Sequence, residues 1–270
     1  MPTLYVVSTP IGNLEDISLR ALRTLREVSL VAAEDTRTTR RLLTAHGIKT
    51  KLVSYHEQGA KTRLGTILEH LTEGDVALVS EAGTPGLSDP GYDLVRAAAE
   101  RGVEVVAIPG PSAITAALAI SGLPSDQFVY LGFLPRRKAE RRKLLQNVAV
   151  EQRTIVAFEA PHRLRASLAD VVDTLGDREV SICREMTKLH EEVFRGSITG
   201  ALSHFTEPRG EFTLVIRGQA GASGATAISD EVRTELKRLH DQGLGAKEAI
   251  ARVSAATGLS RRVLYKAWLD

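Results

Sequence analysis

The amino-acid sequence predicts an α/β protein: two α/β domains, the first built on a doubly wound parallel sheet and the second on a mixed sheet, followed by a small all-helical module. Two observations predict the parallel sheet. Short runs of Val, Ile, Leu and Ala recur near the start of the chain, and a segment of helical period separates most runs from the next. Continuously apolar strands that alternate with helices are typical of a sheet covered on both faces. With 43% hydrophobic and 25% charged residues, the 270-residue chain can bury a sizeable core.

The first domain is predicted over residues 1–120. Its first helix shows the signal clearly, because Ile17, Ala21 and Leu25 recur at the spacing of one helix face. The helix after the third apolar run ends at Gly74, a residue type that commonly follows the last helical turn. The predicted strands and helices alternate in the order TLYVVS, ISLRALRTLREV, LVAAEDT, TRRLLTAHG, KLVSY, TRLGTILEHLTEG, VALVS, YDLVRAAAERG and VEVVAIPG.

The second domain is predicted over residues 121–218. Strand-like segments adjoin one another more often here, which predicts a mixed sheet with its helices on one side. The predicted segments are FVYLGFL, RRKAERRKLLQNV, TIVAFEA, HRLRASLADVVDTLG, EVSICRE, HEEVFRG, ITGALSHF and EFTLVIRG.

A change of composition marks the end of the second domain. Residues 219–227, QAGASGATA, have the Gly/Ala/Ser composition of a flexible linker. Residues 228–270 then contain three short segments of helical period with glycine between them, which resemble a helix-turn-helix module. The single cysteine, Cys183, excludes an internal disulfide framework, and no apolar run is long enough to span a membrane. Since no basic leader precedes the first apolar run, we expect a cytoplasmic protein.

The segments that follow the predicted strands are rich in glycine, proline and acidic residues. They are STPIGN (8–13), EDTR (34–37), SEAGTPGLSDPG (80–91) and IPGPSA (108–113). In an open α/β sheet, ligands bind beyond the carboxyl ends of the strands, so these four loops are expected to converge on one pocket.

The absence of two common motifs restricts which ligands this pocket is expected to bind. The first strand is not followed by G-x-G-x-x-G, and the chain has no G-x-x-x-x-G-K-[ST], so neither a dinucleotide fingerprint nor a P-loop is present. The histidines stand apart from one another and from Cys183, so we expect no metal site. A zwitterionic, largely neutral nucleoside held by backbone groups would suit these loops.

Seven motifs in order carry a family resemblance: TPIGN, AAEDTR, SEAGTPGLSDPGY, IPGPSA, GFLPR, FEAPHR and REMTKLHEEVFRG. They resemble the motif series of the tetrapyrrole methylase superfamily and, within it, the ribosomal RNA small-subunit methyltransferase I family, over residues 3 to about 218. The resemblance implies the two-domain tetrapyrrole-methylase fold and methylation of the ribose 2′-oxygen of a decoding-centre cytidine in 16S rRNA. It implies S-adenosylmethionine as methyl donor, the small ribosomal subunit as partner, and a homodimer.

The resemblance also implies where the cofactor binds. The wider superfamily carries a Gly-Asp-Pro loop at the position of AGTPG, and Thr84 stands here where the Asp would be. Residues of the second domain close the pocket in relatives, so the adenosine is expected between the two domains. The implied cofactor-binding residues are Pro10, Gly12, Gly83, Thr84, Leu87, Ser112, Ala113, Phe158, Ala160 and Thr213.

Methyl transfer to a ribose hydroxyl needs alignment and help with the hydroxyl proton. The charged residues of the motifs are candidates, with no single base assigned: Glu34, Asp35, Arg37, Glu81, His162, Arg163, Arg184, Glu185 and Lys188. Other roles stay open for several. Glu34 or Asp35 could cap the next helix, Arg163 could be a surface residue, and Arg184 with Glu185 could form a structural ion pair.

A basic run at the start of the second domain is the candidate RNA contact. The stretch RRKAERRK holds six basic residues, namely Arg136, Arg137, Lys138, Arg141, Arg142 and Lys143, against one acid. It either contacts RNA phosphates or forms a solvated helix face. Two rival functions also stay open: a tetrapyrrole C-methyltransferase with the same fold and cofactor, and a non-enzymatic ligand-sensing regulator that binds DNA through its C-terminal helices.

Overall fold

The computed structural model describes residues 2–56, 60–219, 230–259 and 261–269, with the backbone alone at residues 60–62, 262 and 266. The chain divides into two compact units, Met1–Gly218 and Gln219–Asp270. Beyond Gln219, the predicted linker over residues 219–227 lies outside the described residues.

The first sheet has five parallel strands, as the alternation of apolar runs and helices predicted. The strands are β1 (Thr3–Val7), β2 (Leu30–Ala33), β3 (Leu52–Ser54), β4 (Val76–Val79) and β5 (Glu104–Ile108), in the order β3-β2-β4-β1-β5. The helices between them are α1 (Leu19–Glu27), α2 (Thr36–Ala45), α3 (Ala60–Glu73) and α4 (Tyr92–Glu100). A short 3-10 helix, Leu14–Asp16, precedes α1.

Helices cover both faces of the first sheet. On one face, α1 and α2 pack through residues such as Leu25 and Leu42 against Val7, Val31 and Val79. On the opposite face, α3 and α4 pack through residues such as Ile67 and Leu94 against Leu4, Leu30 and Leu78. Neighbouring residues of one strand thus enter different cores, which explains why the strands are apolar throughout.

The second sheet is mixed, also as predicted. Its strands are β6 (Phe128–Phe133), β7 (Thr154–Glu159), β8 (Glu179–Arg184), β9 (Glu192–Ser197) and β10 (Phe212–Ile216), in the order β6-β7-β10-β8-β9. Only the β6–β7 pair is parallel, and the other three pairs are antiparallel. The helices α6 (Lys138–Asn147), α7 (Leu164–Leu175) and α8 (Ile198–His204) pack on one face.

The expectation that helices cover only one side of the second sheet is wrong. A further helix, α5 (Ala113–Ser121), follows β5 and packs its Ile114, Ala117 and Leu118 against Val156 and Val215 on the opposite face. Its segment is apolar on nearly all sides and has no clear period, so the sequence did not reveal it as a separate helix. The packing changes from the first sheet to the second between β5 and α5, before residue 120.

The second unit contains three helices within its described residues: α9 (Asp230–Asp241), α10 (Ala246–Thr257) and α11 (Arg261–Leu269). They surround a small core of their own, centred on Leu236, Leu239, Ile250, Val253 and Leu264. No helix in the described part of the chain is long and apolar enough to cross a membrane.

Candidate functional site

The topology of the first sheet creates a crevice between β1 and β4. These neighbouring strands lead to α1 and α4, which lie on opposite faces of the sheet, so their connections diverge. At their carboxyl ends, Thr9 and Gly83 exchange two backbone hydrogen bonds of 2.9 and 3.0 Å. The side-chain oxygens of Ser8 and Thr84 lie 2.9 Å apart. The first and third of the predicted loops are therefore joined at the switch point of the sheet.

A cavity of about 560 Å³ opens at this edge, and all four predicted loops contribute to it. Residues of the second sheet close it from the other side. From the first half of the Met1–Gly218 unit, the lining comprises Pro10, Ile11, Gly12, Leu14, Glu34, Thr38, Glu81, Ala82, Gly83, Thr84, Leu87, Asp89, Ser112, Ala113 and Ile114. From the second half, it comprises Phe133, Phe158, Glu159, Ala160, Pro161, Lys188, Glu211, Phe212 and Thr213.

Every residue predicted to bind the cofactor lines this cavity. The set is Pro10, Gly12, Gly83, Thr84, Leu87, Ser112, Ala113, Phe158, Ala160 and Thr213. The structure thus brings together residues that are up to 203 positions apart in the sequence, from both sheets. Their contact with a cofactor stays a prediction.

Glycine is required in the loop of residues 80–91 because the backbone folds tightly on itself. Gly83 and Gly86 have φ of 78° and 82°, a region that side chains disfavour. A Cβ at Gly91, whose φ is 156°, would lie 3.0 Å from the backbone nitrogen of Gly86. The cluster of glycines therefore shapes the cavity wall.

Three carboxylates form an acidic wall of the cavity: Glu34, Glu81 and Asp89. The Glu34 carboxylate accepts a hydrogen bond of 3.1 Å from the backbone nitrogen of Glu81. Burial raises the pKa of Asp89 to about 7, and the neighbouring Glu34 adds to this effect. Burial also raises the pKa of Glu81, with the charges of Asp35, Glu34 and Glu211 acting in the same direction. Asp89 is therefore only partly ionised near neutral pH.

Lys188 is the one basic residue in the cavity lining, among the described residues. Its Nζ lies 2.9 Å from carboxylate oxygens of both Glu185 and Glu211. Burial disfavours the charged form of Lys188, but hydrogen bonds to Glu211 and Glu185 outweigh it and raise its pKa. Gly12 leaves room for this side chain, because a Cβ there would lie 2.5 Å from the Lys188 Cγ.

Of the nine candidate catalytic residues, three line the cavity: Glu34, Glu81 and Lys188. Asp35 caps α2, since its carboxylate accepts hydrogen bonds from the backbone nitrogens of Arg37 (2.7 Å) and Thr38 (3.3 Å). The side chain of Arg37 is exposed. Asp35 and Arg37 therefore lie outside the lining. The sequence left open whether Glu34 or Asp35 caps the helix, and the structure shows that Asp35 does.

Arg163 has a structural role beneath the cavity. Its guanidinium lies 2.6 Å from the buried Glu159 carboxylate and donates a 2.9 Å hydrogen bond to the Leu134 carbonyl. Ser167 hydrogen-bonds the other carboxylate oxygen of Glu159. Arg163 is thus neither a surface residue nor part of the lining, and the adjacent His162 is exposed.

Arg184 and Glu185 do not form the structural ion pair that the sequence left open as their alternative role. Arg184 binds Glu192 at 2.9 Å and donates to the Arg209 carbonyl at 2.7 Å. Glu185 has a positive φ of 50° and holds Lys188. Glu185 therefore positions a residue of the lining without lining the cavity itself.

The basic run is not uniformly solvated. Arg136, Arg137, Lys138 and Lys143 are exposed, but Arg141 is buried. Its guanidinium donates hydrogen bonds of 2.9 and 2.5 Å to Asp170.

This corrects the prediction that Arg141 contacts RNA, because a buried and paired guanidinium cannot reach a phosphate. Arg142 also binds Asp170, at 2.7 Å, and pairs with Asp173. The available positive charge therefore lies on the four exposed residues.

The sequence analysis missed four lining residues whose side chains could take part in binding or catalysis: Asp89, Phe133, Glu159 and Glu211. Asp89, Phe133 and Glu159 lie inside the quoted motifs SEAGTPGLSDPGY, GFLPR and FEAPHR, so the motifs themselves held the signal. Glu211 lies outside the seven motifs but only two residues before Thr213, which was predicted to bind the cofactor, and the pairing of β10 with β7 and β8 brings this segment to the cavity.

Comparison with known proteins agrees with this geometry. The family model for Tetrapyrrole (Corrin/Porphyrin) Methylases matches residues 3–201. The Ribosomal RNA small subunit methyltransferase I of Synechocystis sp. is 46% identical over 274 residues, covering 100% of this chain and 98% of the relative. The chain belongs to the ribosomal RNA small subunit methyltransferase I family. A second member of this family, from Thermotoga maritima, is 53% identical over 222 residues, and 81% of this chain covers 100% of that relative.

Solved structures share this fold at low sequence identity. The methyltransferase CobJ superposes with a TM-score of 0.62 and 17% identity, covering 82% of this chain and 95% of the other. Uroporphyrin-III-C-methyltransferase from Thermus thermophilus superposes with a TM-score of 0.55 and 19% identity, covering 80% and 94%. At this identity the likeness shows the fold alone, which is the tetrapyrrole-methylase fold that the motifs predicted.

Proposed function

We propose that the protein is an S-adenosylmethionine-dependent methyltransferase that methylates the ribose 2′-oxygen of a decoding-centre cytidine in 16S rRNA of the small ribosomal subunit. One observation carries the proposal: the ten residues that the family resemblance assigns to the cofactor line a single cavity between the two sheets. The names of the relatives at 46% and 53% identity support the RNA substrate.

The cavity fits the proposed cofactor in size and in chemistry. A volume of about 560 Å³ lies in the range of small-molecule sites. Apolar surface from Ile114 and Phe158 suits an adenosine, and the tight backbone around Gly83 allows close approach to polar groups. The acidic wall of Glu34, Glu81 and Asp89 suits a cationic sulfonium. When bound, S-adenosylmethionine supplies an electrophilic methyl group.

The charged residues of the lining would handle the hydroxyl proton. Because its pKa is about 7, the Asp89 carboxylate is partly ionised near neutral pH and can accept a proton. Glu34 and Glu81 are the other acceptors within the acidic wall. The Lys188 ammonium, held by Glu185 and Glu211, can stabilise negative charge that develops on the ribose oxygen.

The RNA would contact the protein beside the cavity. The exposed Arg136, Arg137, Lys138 and Lys143 supply positive charge for phosphates. The helical unit over residues 228–270 would add a second contact, joined by the linker of residues 219–227. The Thermotoga relative, whose whole length is covered by 81% of this chain, supports a catalytic body that is sufficient for the chemistry. We further propose that the protein acts in the cytoplasm as a homodimer.

One labelling experiment tests the function. The protein is incubated with methyl-labelled S-adenosylmethionine and undermethylated small ribosomal subunits, and the label is mapped by nuclease digestion. Label on the 2′-oxygen of a single cytidine is expected, and the Gly83→Leu variant, with its fold checked by circular dichroism, should give none. Parallel incubations with a tetrapyrrole acceptor and with DNA test the rival functions. Label on the tetrapyrrole but not on RNA, or DNA binding without turnover, would overturn the proposal.

A further inference from the structure

Three exposed apolar side chains surround the opening of the cavity. Leu14, Leu87 and Phe133 all belong to the lining, yet they are 46%, 48% and 53% exposed. A single exposed apolar residue is ordinary, but three that converge on one cavity mark a binding surface. Phe133 is the only aromatic residue of the three. Its ring packs edge to face on Phe158, with centroids 5.4 Å apart and planes at 61°.

Two arginines, the buried Arg141 and the half-buried Arg163, fix the backbone that follows Phe133. Arg163 donates to the Leu134 carbonyl at 2.9 Å. Arg141 donates to the carbonyls of Pro135, at 3.1 Å, and Arg136, at 3.3 Å. Three successive carbonyls are thus held from below, and the Leu134 backbone nitrogen donates to the Phe158 carbonyl at 3.1 Å. The exposed ring of Phe133 therefore stands on a rigid support.

Positive charge lies directly next to this ring in the chain. Arg136, Arg137 and Lys138 follow Phe133 by three to five positions, and all three are exposed. Arg137 has an exposed ion pair with Glu140 at 3.3 Å, whereas Arg136 and Lys138 have no ion-pair partner within the described ranges. An aromatic face with cations beside it is the arrangement that binds single-stranded nucleic acid.

We propose that Phe133 is the platform on which the base of the target nucleotide stacks. This inference rests on the proposed function and deepens it. A ribose that enters the cavity brings its base to the cavity mouth, so that base cannot remain stacked inside an RNA helix. An unstacked base needs a new partner, and sequence-specific RNA recognition commonly supplies an aromatic ring. Leu14 and Leu87 give the base apolar edges, and the cations following Phe133 hold the flanking phosphates.

Steady-state methylation of undermethylated small subunits tests the platform. In Phe133→Ala, loss of one stacking contact should raise the KM for the subunit roughly 5- to 100-fold. The affinity for S-adenosylmethionine, measured by titration calorimetry, should not change. Phe133→Tyr should keep the wild-type KM, since the ring remains. Phe133→Leu keeps an apolar side chain of similar size and should raise the KM for the subunit as Phe133→Ala does. It serves as a second variant in case Phe133→Ala fails to fold.

Phe128, at the other end of the same strand, provides the matched control. It is 40% exposed but does not belong to the cavity lining, so Phe128→Ala should leave the KM for the subunit unchanged. An unchanged KM in both Phe133→Ala and Phe133→Leu, with an active wild type, would overturn the platform alone. Weakened S-adenosylmethionine binding in these variants would assign the ring to the cofactor and also overturn it. A wild type that labels no RNA would overturn the proposed function and this inference together.

Discussion

Replacing Arg141 with methionine should strongly destabilise the Met1–Gly218 unit. The Arg141 and Asp170 side chains are only 5% and 4% exposed, and their closest nitrogen and oxygen lie 2.5 Å apart. Removing one partner of a buried pair costs about 3–5 kcal/mol, because the other charge stays buried without compensation. Asp170 keeps a 2.7 Å hydrogen bond from Arg142, which places the expected loss near the lower end, at about 3 kcal/mol. For a unit of this size, this corresponds to a fall in Tm of about 6–12 °C.

The distribution of aromatic residues makes the measurement specific. The single tryptophan, Trp268, lies in α11, so its fluorescence reports the second unit. The far-UV circular dichroism signal comes mainly from the larger Met1–Gly218 unit. In urea, the midpoint by circular dichroism should fall in Arg141→Met, while the midpoint by fluorescence should stay unchanged.

An exposed arginine pair supplies the control. Arg96 and Glu100 lie 3.5 Å apart with side chains that are 58% and 66% exposed, so Arg96→Met should leave the urea midpoint nearly unchanged. The double variant Arg141→Met with Asp170→Leu should lose less than the sum of the single variants, by about 1.5 kcal/mol or more. If Arg141→Met loses no more stability than Arg96→Met, then the burial of this pair does not carry the energy assigned to it.

Three further predictions concern the site itself. Because the folded-state pKa of Asp89 is raised to about 7 from 3.8, the wild-type protein loses stability as the pH rises between these values. The stability of Asp89→Asn relative to wild type should therefore increase by about 1–2 kcal/mol between pH 4 and pH 8. A stability difference between the two proteins that does not change with pH would contradict this. Gly12→Ala should displace Lys188 and lower methyltransferase activity at least about 10-fold, whereas Gly65→Ala, where the added Cβ meets open space, should leave activity unchanged. Changing both Arg136 and Lys138 to glutamine should reduce the salt slope of subunit binding by about 1–2 without changing S-adenosylmethionine affinity, and an unreduced slope would remove them from the RNA contact.

The first sheet and its loops could be predicted because their signals are local. Apolar runs such as VALV identify buried strands, and parallel strands must bring their carboxyl-terminal loops to one edge. The parallel direction of the strands was enough to expect the loops of Gly83 and Ser112 at one cavity. The order itself, with β4 between β2 and β1, came only from the structure.

Partners distant in sequence set the limit of this reasoning. In RRKAERRK, six basic residues suggested one solvated face, but Arg141 lies one helical turn before the buried Leu145 and shares its orientation toward the core. Its partner Asp170 stands on α7, 29 positions away, so no local pattern signals the pair. The same holds for Glu211, which reaches Lys188 only because β10 lies between β7 and β8.

The arrangement of charge around the cavity gives the proposed reaction a physical order. Arg136, Arg137 and Lys138, which follow the lining residue Phe133 in the chain, are exposed and would attract phosphates. Inside, the acidic wall of Glu34, Glu81 and Asp89 repels them. In the proposed reaction, a polyanionic strand would therefore be drawn to the mouth while its backbone is kept from entering. The uncharged ribose of one unstacked nucleotide is the part that the interior would accept. The same acidic wall favours the cationic sulfonium, so the charges that exclude the phosphates also suit the methyl donor. Reversing the charge at Glu81 to lysine should therefore weaken binding of S-adenosylmethionine more than that of its neutral product, S-adenosylhomocysteine, and equal weakening of both would show that the wall does not act through its charge.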